Sequence, residues 1–424
     1  MKTHMAFLLV SLLMLTPLMA QAQVQRVFDE SIRTLQVCAD GNPTLPPWLA
    51  MGKGQHVEVS WDQMSHDYHR YIYYVYHCDA DWQVSEGIFE SDWLTGTNGQ
   101  PVEDYEKSFN TTQIYTHYRL SLPNKDVGIL LSGNYCVKVF SDGCEPDEDE
   151  PLLEARFCVY ENKVSISQQI SANTDIDFNA QHQQLTLRIG YGSLRVSDPL
   201  QEFRVQVLQN RRWDSMVTDL KPNERNASGM AFTHNRQLIF PAGNEYHRFE
   251  ILDVQRTAVG VDRMEWYEPY YHATLLEDRP ARNYSYVEDQ NGVRVIRSPE
   301  DGSENTTAEY VVTHFVFKSP RLQGGDVYVC GSWTGEPFSP ECRMEYDEQL
   351  KQYHVAVLLK QGYYSYQYRQ ETDGTRRTDG DFFEAENEYT TLVYYREHGG
   401  RYDRLVGCSA VSTCLLYTSP SPRD

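Results

Sequence analysis

The side chains that come closest to a metal-binding set are His66, His69, His77 and Cys78, with Asp79 and Asp81 beside them. Zinc needs three or four donors that converge on one point, usually from tight, recurring Cys or His pairs. His66 and His69 lie on a polar approach to a strand-like run. His77 and Cys78 end that run as neighbours, so they point to opposite faces and cannot share an ion. The predicted role is a polar strand end. With Asp plus Glu at 60, a carboxylate pair for glycoside hydrolysis is easy to draw, but its separation is spatial and leaves no trace in spacing. No G-x-S-x-G elbow, phosphate loop or dinucleotide fingerprint occurs. Gly331-Ser332-Trp333 follows a strand, where an indole can stack on a sugar ring or plug the open end of a sandwich core; plugging would contribute about 2–3 kcal/mol and is the favoured reading. The runs at 71–76 and 363–368 carry rings on both faces. One face fills a core, and the other meets a neighbouring domain or, since tyrosine suits recognition, a partner protein. Trp333, Tyr363, Tyr364 and Tyr366 are therefore the candidate binding-surface residues, with no catalytic, cofactor-binding or metal-ligating residue assigned. The residues point to binding and not to an enzyme.

The elements that must position these residues are strands. Thirty tyrosines, many in period-2 runs broken by Gly, Pro, Asn and Asp, dominate the chain, and long amphipathic helices are absent. Strands are predicted over 56–62, 71–76, 115–122, 135–140 and 152–160, then over 185–189, 203–207, 237–240, 245–254 and 270–276, and finally over 310–317, 327–330, 353–359 and 363–368. Strand feeds strand without helical crossovers, which implies an all-β fold of tandem antiparallel sandwiches of the Ig-like or early-set kind. The predicted domains are an N-terminal sandwich at 23–163, a middle sandwich at 164–300, and a C-terminal early-set sandwich at 306–407 after a polar linker at 298–307.

The two ends read differently. Lys2 and His4, an apolar run at 5–19 and Ala20-Gln21-Ala22 form a signal peptide over 1–22, with cleavage before Gln23 and no cysteine there to carry a lipid. That run is short for a membrane span and no second one follows. After Gly407 the composition changes abruptly, and 408–424 is expected to be a non-native tail outside the fold. Of nine cysteines, Cys330 and Cys342 flank one short loop and are the expected disulfide for an exported protein. The formal net charge of −22 excludes nucleic acid as a natural partner and disfavours direct membrane insertion or docking on anionic lipid. The acidic run at 145–150 lacks the ordered spacing of a calcium loop.

Particular words in the sequence go further. His77-Cys78-Asp79-Ala80-Asp81-Trp82, Ser108-Phe109-Asn110-Thr111, Tyr115-Thr116-His117-Tyr118, Pro123-Asn124 and Ser132-Gly133-Asn134-Tyr135 resemble the N-terminal signature of the type IX secretion system plug proteins of Bacteroidetes. Gln209-Asn210, Gly243-Asn244-Glu245, Asp289-Gln290-Asn291-Gly292, Leu359-Lys360-Gln361-Gly362-Tyr363-Tyr364 and the stretch Arg401-Tyr402-Asp403-Arg404-Leu405-Val406-Gly407 continue it in order. The resemblance implies a periplasmic protein, without cofactors, that occupies the periplasmic mouth of the SprA-type outer-membrane translocon barrel when no cargo passes. The third domain also resembles the early-set sandwiches found beside glycogen-acting enzymes, through 327–333 and the hairpin at 360–368. This leaves a periplasmic glycan-binding module as the alternative, although no second stacking Trp stands at a matching position. Self-association is left open. The acidic insertion at 145–150 and the scattered cysteines depart from the family pattern.

Overall fold

A computed structural model describes residues 24–413 except 147, 300–301, 336–337 and 372–377. The signal-peptide reading of 1–22 lies outside the described residues. Alternation becomes layers first in the N-terminal sandwich. There Ile32–Ala39, Val57–Gln63, Thr116–Leu122 and Asp104–Lys107 form one sheet. It faces a second sheet built on Leu153–Tyr160, Gly133–Ser141 and Tyr71–Cys78. Val57, Val59 and Trp61 point inward with Tyr71, Tyr73, Val75 and Tyr118, and the Trp61 indole stacks on the Tyr118 ring at 5.6 Å. Burial of such aromatic area is the main stabilising term of a sandwich. Because the period is two, the intervening residues Asp62 and His117, paired across adjacent strands, point out of this core toward the rest of the molecule.

The antiparallel sandwich fold agrees with expectation, but the strands are dealt out across the predicted boundaries. The middle sandwich begins with Ser165–Ser171, His182–Gly190 and Gly229–Phe232 in one sheet. Its facing sheet is Phe203–Gln209, Glu388–Tyr395 and Arg404–Ser412, so strands from the end of the chain return to close the core around Leu187, Val205, Phe232 and Val393. Conversely, His247–Ile251, Val261–Tyr267, Tyr270–Leu275 and Arg294–Ile296 belong to the C-terminal sheet. This nine-stranded sheet curls until its halves meet, with Phe317 lying 4.5 Å from Tyr368 and Phe249 lying 5.7 Å from Phe315. The C-terminal sandwich is thus inserted between strands of the middle one, and a cut near 300 follows no structural seam. Alternation locates strands; it does not name their partners.

Two further expectations are corrected. The stretch 408–412 is no tail, because Arg404–Ser412 runs through it and pairs Cys408 with Leu392 and Ser412 with Glu388. Cys408 and Val411 pack against the neighbouring apolar clusters; residues beyond 413 lie outside the described part. Cys330 and Cys342 are both free. Cys342 sits in the C-terminal core with Val327 and Val329, whereas Cys330 alternates to the opposite face of its strand, and a disulfide needs side chains that point at each other.

Candidate partner-binding surface and the joints that hold it

The strand Gly362–Gln370 is buried at every position, which removes three of the four candidate surface residues from solvent. Tyr363 is 9%, Tyr364 0% and Tyr366 3% exposed. The Tyr364 hydroxyl donates to the Lys360 carbonyl at 2.6 Å, and that of Tyr366 donates to Asp278 at 2.7 Å. The strand is internal to its sheet, flanked by His247–Ile251 and Val327–Cys330, so rings on both faces meant two buried faces and not a free one. Trp333 is half-buried: its Nε1 donates to the Ser365 carbonyl at 3.1 Å, and its ring lies along Phe315 and edge-on to Tyr364. A Cβ on Gly331 would lie 2.3 Å from that Nε1, so the glycine is what lets the indole close over the strand. The arrangement packs the indole against the core in place of offering a flat platform to a sugar.

The histidines near position 77 are dispersed. His77 sits 2.9 Å from Ser85 Oγ and 3.2 Å from the Ser132 carbonyl, and burial pushes its pKa below the ordinary 6.5. His66 bonds Ser108 and His69 stacks on Tyr71. Among the described residues no group of three His, Cys, Asp or Glu side chains is placed to hold a metal. No helix among them is long and apolar enough to cross a membrane.

What the polar residues build instead is a pair of joints. Asp62, turned out of the N-terminal core, receives Lys360 Nζ at 2.7 Å and the Tyr310 hydroxyl at 2.6 Å, both from the C-terminal sandwich, and holds His117 Nδ1 at 2.7 Å. Asp62 is 0% and Lys360 1% exposed. Burial works to raise the Asp62 pKa, but Lys360 and His117 prevail and hold it below the ordinary carboxylate value. For Lys360, burial dominates and its pKa is lowered in spite of Asp62. Lys360 also donates to the Asn305 carbonyl at 2.7 Å and lies 4.1 Å from the Tyr115 ring centre, so its charge is satisfied from three sides.

The second joint ties the N-terminal sandwich to the middle one. Arg396 reaches Asp79 at 2.7 Å and Asp403 at 2.8 Å, Arg204 reaches Asp403 at 2.7 Å, and the Ala80 N–H donates to Asp403 at 3.1 Å. Next to it Trp82, Trp213, Leu392, Tyr394 and Leu405 form an apolar seam. The sequence words around Asp79 and around Asp403, far apart in the chain, therefore meet face to face.

Exposed aromatics cluster elsewhere. Val261–Tyr267 is the last strand of the nine-stranded sheet, and it presents Trp266 at 47% and Tyr267 at 56% exposure. Trp266 is braced edge-on by Tyr271 at 4.7 Å. From the N-terminal sandwich, a loop carries Phe109 and Ile114, 65% and 52% exposed, and Gln113 Nε2 donates to the Pro269 carbonyl at 2.7 Å, pinning that loop to the Trp266 hairpin.

Fold and joints together define a class: tandem β-sandwiches bolted into one body, with exposed rings along a sheet edge. Residues 32–161 match the sequence model of the type 9 secretion system plug protein 1st domain. Over 92% of this chain and 100% of the other, the fold superposes with a TM-score of 0.88 and 36% identity on the crystal structure of a hypothetical protein from Parabacteroides merdae. The chain belongs to the type 9 secretion system plug protein family. No curated protein matches it.

Proposed function

We propose that this protein is a non-enzymatic periplasmic plug that seals the periplasmic mouth of the SprA-type outer-membrane translocon barrel when no cargo occupies it. The observation that carries the reading is the double joint: the domain matched by the plug model is fixed by Asp62 to one sandwich and by Asp79 to the other, so the whole chain acts as one obstruction. A stopper must not deform under the solutes it blocks, and it must release. Release favours a contact of modest area with polar neighbours over a large apolar interface. The ring-bearing edge formed by Phe109, Ile114, Trp266 and Tyr267, with Asp262, Arg263 and Glu265 preceding the rings on the same strand, has that character and is the surface we assign to the barrel. A net charge of −22 keeps the freed plug soluble.

Deleting the gene in a strain that retains the barrel is expected to leave secretion working and to admit large antibiotics, with no such effect in a strain that lacks the barrel. Unchanged permeability with the barrel present would overturn the reading. So would failure of the protein to co-purify with the barrel from solubilised outer membranes.

A further inference from the structure

A cavity of about 220 Å³ opens where the three sandwiches meet, and its wall carries Arg211, Arg212, Arg294 and Arg369 with Asp214 as the single carboxylate among the described residues. In so acidic a molecule this is an inversion of charge. Arg211 is matched outside the wall by Glu388, at 2.8 and 3.2 Å. Asp214 is shared, since Arg212 reaches it at 2.8 Å and Arg369 also at 2.8 Å. Arg294 gives its Nη2 to the Leu35 carbonyl at 2.9 Å and has no carboxylate partner among the described residues. Among the described residues, four guanidinium groups thus draw on two carboxylates. Arg369 is 2% exposed, and its Nε finds no acceptor among the described residues. A buried guanidinium with donors to spare is costly unless an anion completes it. Beside polar lining residues such as Gln36, Asn210 and Gln367, the wall carries the indoles of Trp48 and Trp213.

We propose that this junction is a binding site for a small molecule that carries one oxyanion, a carboxylate or a phosphate, on a flat apolar body. The oxyanion lies against Arg294 and Arg369, where planar donors match its geometry, and the body lies along the indoles. Site and ligand class stand independently of the plug reading, because neither the ringed edge nor the barrel takes part.

Titration of the purified full chain with phenyl phosphate, benzoate and inorganic phosphate, followed by calorimetry and by tryptophan fluorescence, tests this. Saturable binding of phenyl phosphate or benzoate at one site is expected, weaker at high salt, and whichever of the two binds more tightly identifies the oxyanion. Arg369→Gln leaves Asp214 its Arg212 partner and is expected to weaken binding on the order of ten-fold, the scale of a lost charge-assisted hydrogen bond. Leu45→Glu, at a wall position that is 41% exposed, puts a carboxylate at the mouth without touching a core and is expected to weaken binding several-fold. No binding at millimolar concentration by the folded wild type, or binding indifferent to both substitutions, would overturn the proposal. Inorganic phosphate binding as tightly as phenyl phosphate would overturn the part given to the apolar wall.

Discussion

At the scale of single residues, the Asp62 joint makes the sharpest claim. Removing one member of a buried pair leaves the other charged and alone, which costs about 3–5 kcal/mol. Lys360→Met is therefore expected to lower the urea midpoint strongly, and adding Asp62→Asn to it should restore much of the loss, because the neutral amide no longer needs a cation. Equal midpoints for wild type and Lys360→Met would show that the pair contributes nothing. A second claim concerns pH. Burial, with Asp289 and Glu386 nearby, pushes Glu245 from 4.5 up to about 7; burial likewise raises Asp289 from 3.8 to about 6. An acid with a raised folded pKa holds its proton after the unfolded chain has lost it, so its stabilising contribution is full below the unfolded value and is lost as pH rises through the folded one. For Glu245 that window runs from about 4.5 to 7. His247, lodged between Asp278 at 3.1 Å and Asp379 at 3.3 Å, has its pKa lowered by burial but raised further by the two carboxylates, to well above 6.5. It acts in the same direction, losing its stabilising charge as pH rises through that raised value. These acids should make stability measured by chemical denaturation fall between pH 5 and neutrality, against the opposite slope of His77, whose lowered pKa favours the fold as pH rises, and Glu245→Gln, which keeps the oxygen that accepts from Tyr284, should make the fall shallower. A slope unaltered in that variant would assign the dependence to other groups.

At the scale of elements, the lesson is what a sequence encodes locally and what it does not. Val57, Val59 and Trp61 declared their strand by alternation, and Tyr310–Phe317 and Val327–Cys330 lie where that pattern put them. Ser165–Ser171 carries little strand signal because it is an edge strand with only Ile166, Gln168 and Ile170 half-buried, too few to separate it from a linker. Tyr363, Tyr364 and Tyr366 were legible as strand and illegible as surface, since a residue's own neighbours in sequence do not say which sheet covers its second face. The same limit hid the insertion of one sandwich into another: Phe203–Gln209 finds its partner in Glu388–Tyr395, across a separation that no window spans. It follows that the fragment 306–407, a complete domain by sequence pattern, should not fold alone. It lacks Val261–Tyr267 and Tyr270–Leu275, which extend its sheet, and His247–Ile251, which flanks Gly362–Gln370. It also carries Glu388–Tyr395 without Phe203–Gln209 to pair with. A cooperative melt of that fragment, or dispersed amide resonances from it, would show that the sheet closes without the borrowed strands.

At the scale of the whole molecule, the proposed plug separates rigidity from reversible contact and places them in different residues. The joint at Asp62 is buried and the one at Asp79 half-buried, and both are ionic, so their disruption acts through stability; the ringed edge is exposed, so its disruption acts through binding alone. Trp266 and Tyr267 make their ring contacts with Tyr271 and His272 of the same hairpin, and alanine at both positions removes contact area without opening any core. Exposed substitutions of this kind usually shift stability by no more than about 0.5 kcal/mol, whereas loss of an aromatic anchor from an interface costs about 2 kcal/mol or more. The double variant Trp266→Ala/Tyr267→Ala should therefore melt within a degree or two of wild type, yet be recovered with the isolated barrel in an amount lower by an order of magnitude or more. Restoring Phe at both positions should return most of the contact, because the ring supplies the area and the polar atoms do not. Full recovery of the double variant with the barrel would move the proposed contact to another face while leaving the jointed body in place.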